Sequence, residues 1–234
     1  MYKNTNILGL DLSTNNCSVA LSFNNNIEEI SVSSEILRSQ KIIQMINELL
    51  SRTKVKPKEL TAIAFGAGPG SFTGLKIASS IMQGLHLAWQ KPIIKISTLW
   101  ALALQGSLQS KAQYILPCID AKMGQLYYGL YSNNANNNLI PCLLQPDALE
   151  KIQNITINNS INNNSSVVIV GDGHHLLHPV ISKNNNIKLI VNNSEVKHVQ
   201  AANIVKLAIY CYNNNLIKNY NDAEPIYLNR CFYD

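Results

Sequence analysis

Phe65-Gly66-Ala67-Gly68-Pro69-Gly70-Ser71-Phe72-Thr73-Gly74-Leu75-Lys76 is the stretch on which the reading of this chain turns. It follows a short apolar run, Thr61 to Phe65, that reads as a buried strand, and it precedes a helical pattern over about 75–90. A strand, a glycine-rich turn and a helix N-terminus in succession leave backbone N–H groups pointing outward with positive partial charge. Such a turn can receive an anion. It can equally receive another backbone at close range, because Gly66, Gly68, Gly70 and Gly74 carry no Cβ. Ser71 or Thr73 is expected to cap the helix. No register supplies the Walker pattern, Gly-x4-Gly-Lys-Ser/Thr. The dinucleotide pattern fails as well, because its third glycine position holds Ser71 or Thr73.

The 234 residues allow one large or two small domains, and 46% hydrophobic content is enough for a core without staples. A net charge of +5 with 14% charged residues is mildly basic, compatible with nearby RNA but not a polybasic binder. Five cysteines without C-x-x-C spacing suit a reducing compartment. No signal peptide and no membrane-length apolar run are evident, so a soluble cytoplasmic protein is expected. Asparagine runs at 24–26, 133–138 (broken by Ala135), 162–164, 184–186 and 213–215 fall between apolar segments and read as loops.

Along the chain, 7–12, 17–23 and 27–33 read as a three-strand meander. A helix over about 35–52 follows, with Ile42, Met45, Ile46 and Leu49 at i, i+3, i+4, i+7 spacing. That stripe covers the sheet, seats a partner, or does both. After the glycine turn and its helix come a strand at 93–96 and a helix to about 105. The second half repeats the order: strands at 114–119, 125–131 and 139–144, a short helix over 146–153, a strand at 167–170 that Gly171-Asp172-Gly173 turns into a short helix, a strand at 187–191, and a helix over 200–212. Each half thus reads βββαβαβα, a βββαβα-type lobe, with Asp11 or Asp120 just at or after its first strand. The expected boundaries are 1–106, joined by about 200–216 packing back, and 107–234. Two such lobes facing one another are expected to form a cleft at the strand ends. The pair of acids there would hold Mg²⁺ through water or simply cap turns.

These motifs resemble a known family. Gly66 to Ile77 resembles the GxGPGSFTGxRI signature of the TsaB (YeaZ) family, a subunit of the machinery for threonylcarbamoyladenosine in tRNA. Ile7 to Thr14, Cys17 to Leu21, Ile96 to Leu99, Ile119 to Tyr127 and Ala223 to Leu228 are similar to further family motifs, in order. Lys122 and Gln125 replace the family's Arg and Glu, and Arg38 stands near the usual His. The resemblance implies a duplicated ribonuclease-H-like (actin-like ATPase) α/β fold of two lobes.

It also implies a non-catalytic, activating subunit that pairs with the metal-bearing catalytic paralogue TsaD and the P-loop ATPase TsaE. Alone the chain would be a homodimer, and tRNA would be met through the complex. No catalytic residue and no metal are implied. The paralogue's H-x-x-x-H pair falls at Thr98-Leu99-Trp100-Ala101-Leu102, which holds no metal-binding nitrogen at either ligand position. His174 and His178 share that spacing, but Pro179 is expected to end any helix there. On this reading Arg38, Ile42, Met45, Ile46 and Leu49 form the partner interface. Asp11, Ser13, Thr14, Gly68, Gly70, Ser71 and Asp120 would contact ATP or ADP with Mg²⁺ if nucleotide binds. The competing readings are a free-standing actin-like ATPase or phosphotransferase, and a metallopeptidase-like protein. His86, on the polar side of the 75–90 helix with Ser79, Gln83 and Gln90, reads as a solvated or capped histidine rather than a base.

Overall fold

The computed structural model describes residues 5–33, 39–133, 140–157, 161, 164–182, 187–190, 196–217 and 221–228. The elements are β1 (Ile7–Asp11), β2 (Asn16–Phe23), β3 (Asn26–Ser33), α1 (Ser39–Thr53), β4 (Ala62–Gly68), α2 (Phe72–Trp89), β5 (Ile93–Ser97) and α3 (Thr98–Gln109). There follow β6 (Tyr114–Lys122), β7 (Gln125–Ser132), β8 (Cys142–Lys151), β9 (Ser165–Val170), α4 (His174–Ile181), β10 (Ile187–Ile190) and α5 (Ala201–Asn213). The chain divides into two compact units: Met1–Ala101 with Val199–Ile226, and Leu102–His198 with Tyr227–Asp234.

Each unit holds one five-stranded sheet. The first has the order β3-β2-β1-β4-β5 and the second β10-β9-β6-β7-β8. In both, the first three strands are antiparallel neighbours, and the last two are added in parallel beside the first. The same order and polarity twice over is a duplicated ribonuclease-H-like α/β fold.

Two periods build the first unit. Leu8, Leu10 and Leu12 alternate along and beyond β1 and join one core cluster. Gly9, between them, lies on the other face against Val205 and Ile204 of α5. Both faces of the sheet are therefore covered, which is why β1 and β4 are buried at every position. The α1 stripe meets the leucine face. Ile42, Met45, Ile46 and Leu49 are each 0–1% exposed within that cluster. These four side chains are spent on the unit's own core, which corrects their assignment to a partner seam. Arg38 lies outside the described residues. Outward on α1 stands Ile43, 39% exposed. Ile46→Ala is accordingly expected to cost about 3 kcal/mol in urea unfolding, and Ile43→Ala under about 1 kcal/mol.

The second unit has a separate core of Leu116, Cys118, Leu126, Leu130, Val167 and Leu177 with their neighbours. Three local expectations are corrected. Residues 146–153 form most of β8 and a 3-10 turn (Ile152–Asn154), not a helix, because β8 pairs along β7 from Ser132↔Cys142 to Gln125↔Lys151. Pro179 does not stop α4, which runs two residues past it. Ser79 is buried rather than on the polar side of α2. Among the asparagine runs, Asn24, Asn25, Asn164 and Asn215 take positive φ, as turn residues do. No helix among the described residues is long and apolar enough to cross a membrane.

Candidate functional site

The glycine turn joins β4 to α2, and the chain itself fills it. Ser71 caps α2, its Oγ accepting the Gly74 N–H at 3.3 Å. The Ser71 N–H does not point to open solvent; it donates to the Ser13 carbonyl oxygen at 2.8 Å. A Cβ on Gly74 would lie well under 3.0 Å from the Leu12 carbonyl oxygen, and one on Gly66 equally close to Asp11 Oδ1. Gly70 backs onto Ser13. The β1–β2 turn thus occupies the space that the missing side chains leave.

A second segment closes the other side. The Ile226 N–H donates to the Ala67 carbonyl at 2.7 Å, and Gly68, at φ +116°, faces the Ile226 carbonyl. Ala223, 2% exposed, sits in the leucine-face core. Asp222 pairs with Lys95 of β5 and accepts the Glu224 N–H. That ion pair and its hydrogen bonds hold the Asp222 carboxyl below its usual range.

Asp11 is sealed beneath this turn, 0% exposed. Its carboxylate accepts the Ser13 N–H at 3.2 Å and the Ser13 hydroxyl at 2.7 Å. Burial pushes the Asp11 carboxyl up to about 7; the Ser13 hydrogen bonds pull against this, and the charge of Glu29 adds to it. Glu29 is raised by the same cause, burial, opposed by the backbone N–H groups of α5. It accepts the Ala202 N–H at 3.2 Å, while Ser18 accepts the Ala201 N–H at 2.8 Å, so an acid and a hydroxyl serve the α5 N-terminus. Sequence reasoning missed Glu29 and Ser18. The available signal was an acid within an otherwise alternating strand. Thr14 is 5% exposed, and its hydroxyl finds no partner among the described residues.

Asp120 belongs to the second unit and differs in kind. It is partly exposed, and it accepts the Lys122 N–H at 2.8 Å and the Lys122 ammonium at 2.7 Å. Burial raises its carboxyl, but the bonds and charge of Lys122, with His175 nearby, outweigh burial and hold it below the usual range. Its own N–H donates to Asp172 Oδ1 at 3.0 Å, an orienting contact that the sequence reading did not assign. Burial raises the Asp172 carboxyl despite that bond.

The structure therefore gathers Asp11, Ser13, Thr14, Gly68, Gly70 and Ser71 around one turn of the first unit, and sets Asp120 in the second. These residues do not fit a magnesium nucleotide. The Asp11 oxygens are sealed, the Ser71 N–H is spent, and the glycine faces are filled by backbone; one free hydroxyl on Thr14 does not make a phosphate site.

The histidine readings resolve locally. His174 Nδ1 lies 3.1 Å from the Gly171 carbonyl and His86 Nδ1 2.7 Å from that of Lys91. Among the described residues, no three His, Cys, Asp or Glu side chains are grouped to hold a metal ion. Thr98 and Leu102, at the positions that the resemblance assigns to the paralogue's metal pair, are both fully buried in α3.

Comparison with known proteins agrees with this construction. The family described as "TsaD: tRNA N6-adenosine threonylcarbamoyltransferase" matches residues 35–228. A "tRNA threonylcarbamoyladenosine biosynthesis protein TsaB" of Buchnera aphidicola subsp. Schizaphis graminum is 36% identical over 167 residues, 71% of this chain and 78% of that protein. The Escherichia coli protein of the same name is 29% identical over 227 residues, covering 95% and 94%. The solved structure "YeaZ from Pseudomonas aeruginosa" superposes with a TM-score of 0.81 at 26% identity, over 96% of this chain and 100% of that one. A duplicated fold, a glycine turn sealed by its own chain, and these likenesses over most of the length converge: the chain belongs to the TsaB (YeaZ) family.

Proposed function

We propose that this chain is a non-catalytic, activating subunit of the synthesis of N6-threonylcarbamoyladenosine in tRNA. The observation that carries the proposal is a pairing of likeness and lack. The threonylcarbamoyltransferase family matches residues 35–228, yet the place of its metal pair holds buried Thr98 and Leu102, which offer no metal-binding nitrogen. A chain that keeps the fold and lacks the ligands is suited to hold a catalytic paralogue in its active arrangement. Its partners would be the metal-bearing paralogue TsaD and the ATPase TsaE, with self-association when alone. On α1, pairing would use the outward side around Ile43 rather than the buried stripe. The reading as a free-standing nucleotide-binding ATPase gains no support from the sealed Asp11 and the filled glycine turn.

The test is reconstitution of tRNA modification from threonine, bicarbonate, ATP, the adenylate-forming enzyme, TsaD and TsaE, with and without this chain. Omission is expected to lower the rate by at least about tenfold. An equal rate without the chain would refute the proposal, and ATP turnover by the isolated chain, lost in Asp11→Ala, would favour the ATPase reading.

A further inference from the structure

The link from α1 to β4 carries a charge pattern that neither the core nor the glycine turn uses. Lys54, Lys56 and Lys58 are exposed, while Val55 and Pro57 between them are half-buried and Leu60 is 2% exposed. Val55 and Leu60 pack on the leucine-face core, so the apolar members turn in and the lysines turn out. The segment is held in shape: the Lys56 N–H donates to Glu59 Oε2 at 2.7 Å, the Glu59 N–H to the Lys56 carbonyl at 2.9 Å, and Asn6 Nδ2 to the Glu59 carbonyl at 3.2 Å. Lys91, just past the C-cap of α2, brings a fourth cation, its Nζ donating to the Lys58 carbonyl at 2.8 Å. Arg52 is paired with Glu48, but Lys54, Lys56 and Lys58 form no ion pair among the described residues.

We infer that this pre-shaped cationic edge binds the phosphate backbone of RNA directly. The inference rests on the proposed role in tRNA modification and deepens it, because that reading brought tRNA to the chain only through the complex. Three unpaired ammonium groups on an ordered turn meet phosphates with no backbone left to order, and each phosphate they neutralise releases counterions. The edge has no exposed large apolar side chain over 52–60 or at 91, so it lacks the face that an amphipathic surface would insert into lipid. It offers no aromatic ring for base stacking, so the contact is to backbone and independent of sequence.

The experiment uses the complete modification system, with a tRNA transcript as the varied substrate over a range of salt. The variant Lys54→Asn/Lys56→Gln/Lys58→Gln removes the charges, asparagine being chosen where Lys54 takes φ +57°. Its KM for tRNA is expected to rise about tenfold with kcat unchanged, and the dependence of log kcat/KM on log salt to become shallower by about 2 to 3. The triple Lys→Arg variant is expected to behave like the parent. Unchanged KM and salt slope would overturn the inference while the requirement for the chain stands. Loss of co-elution with TsaD would overturn it too, by assigning the edge to a protein partner. Modification that proceeds without the chain would instead bring down the proposed function on which the inference rests.

Discussion

Gly74→Ala is expected to destabilise the first unit by about 3 kcal/mol or more, even though alanine is the better helix former by about 1 kcal/mol. The two terms oppose each other, and geometry decides between them. The new Cβ would fall well under 3.0 Å from the Leu12 carbonyl oxygen, a backbone atom of a fully buried residue that has nowhere to move. Gly84, ten residues along α2, has nothing within 4 Å of its missing Cβ. Gly84→Ala is expected to show the propensity term alone and to stabilise by about 0.5–1 kcal/mol. Thermal unfolding would separate them, with a fall of about 10 °C for Gly74→Ala against a small rise for Gly84→Ala. Equal shifts for the two would mean that the β1–β2 turn does not fill the glycine turn.

The second large effect is a pH dependence that one substitution removes. Burial disfavours the charged form of Asp11 and pushes its carboxyl in the folded chain up to about 7 from an ordinary 3.8. A raised pKa means that the stability it contributes is fully present below about pH 4 and is lost as pH rises through about 7. Above that the curve is flat with respect to this group, since folded and unfolded states are both ionised. Across that window the loss approaches about 4 kcal/mol, at about 1.4 kcal/mol per pH unit. Asparagine at this position keeps an acceptor for the Ser13 N–H and a partner for the Ser13 hydroxyl but carries no charge. Asp11→Asn is therefore expected to match the parent near pH 4 and to exceed it by about 4 kcal/mol at pH 8. Denaturant unfolding at several pH values measures this, and taking the difference between the two proteins cancels Glu29, Asp120 and Asp222 to first order. A difference that does not change with pH would mean that Asp11 is ionised in the fold.

Much of the fold was legible because it is periodic. Alternation at Leu8, Leu10 and Leu12 and the four-residue spacing of α1 both mark burial, and both sets meet in one cluster. What fills the glycine turn was not legible. Gly66 and Gly74 announce a close approach but do not name the visitor. The visitors are Asp11 and Leu12, more than fifty residues earlier, with Ile226, far later, against Gly68. The same limit explains β8. Pro146-Asp147-Ala148-Leu149-Glu150 has the local look of a helix start, yet cross-strand pairing with β7 outweighs local propensity. The α1 stripe shows a third form of it. Spacing identifies an apolar face without saying whether sheet or partner covers it, and only the burial of Ile42, Met45, Ile46 and Leu49 decides for the sheet. For Asp11, the position at the end of β1 was readable, while its sealing and raised pKa depend on Ser13, Gly66 and Glu29 together.

In the proposed role this chain acts by engaging a catalytic partner and performs no chemistry through its glycine turn. The most direct measurement is the initial rate of tRNA modification at fixed TsaD and TsaE as this chain is titrated, for the parent and for Asp11→Asn. The expected rate climbs with the chain, saturates near equal amounts of chain and TsaD, and is the same for both proteins at neutral pH. A rate independent of added chain, or a parent-like fold in Asp11→Asn with the rate abolished, would contradict that role.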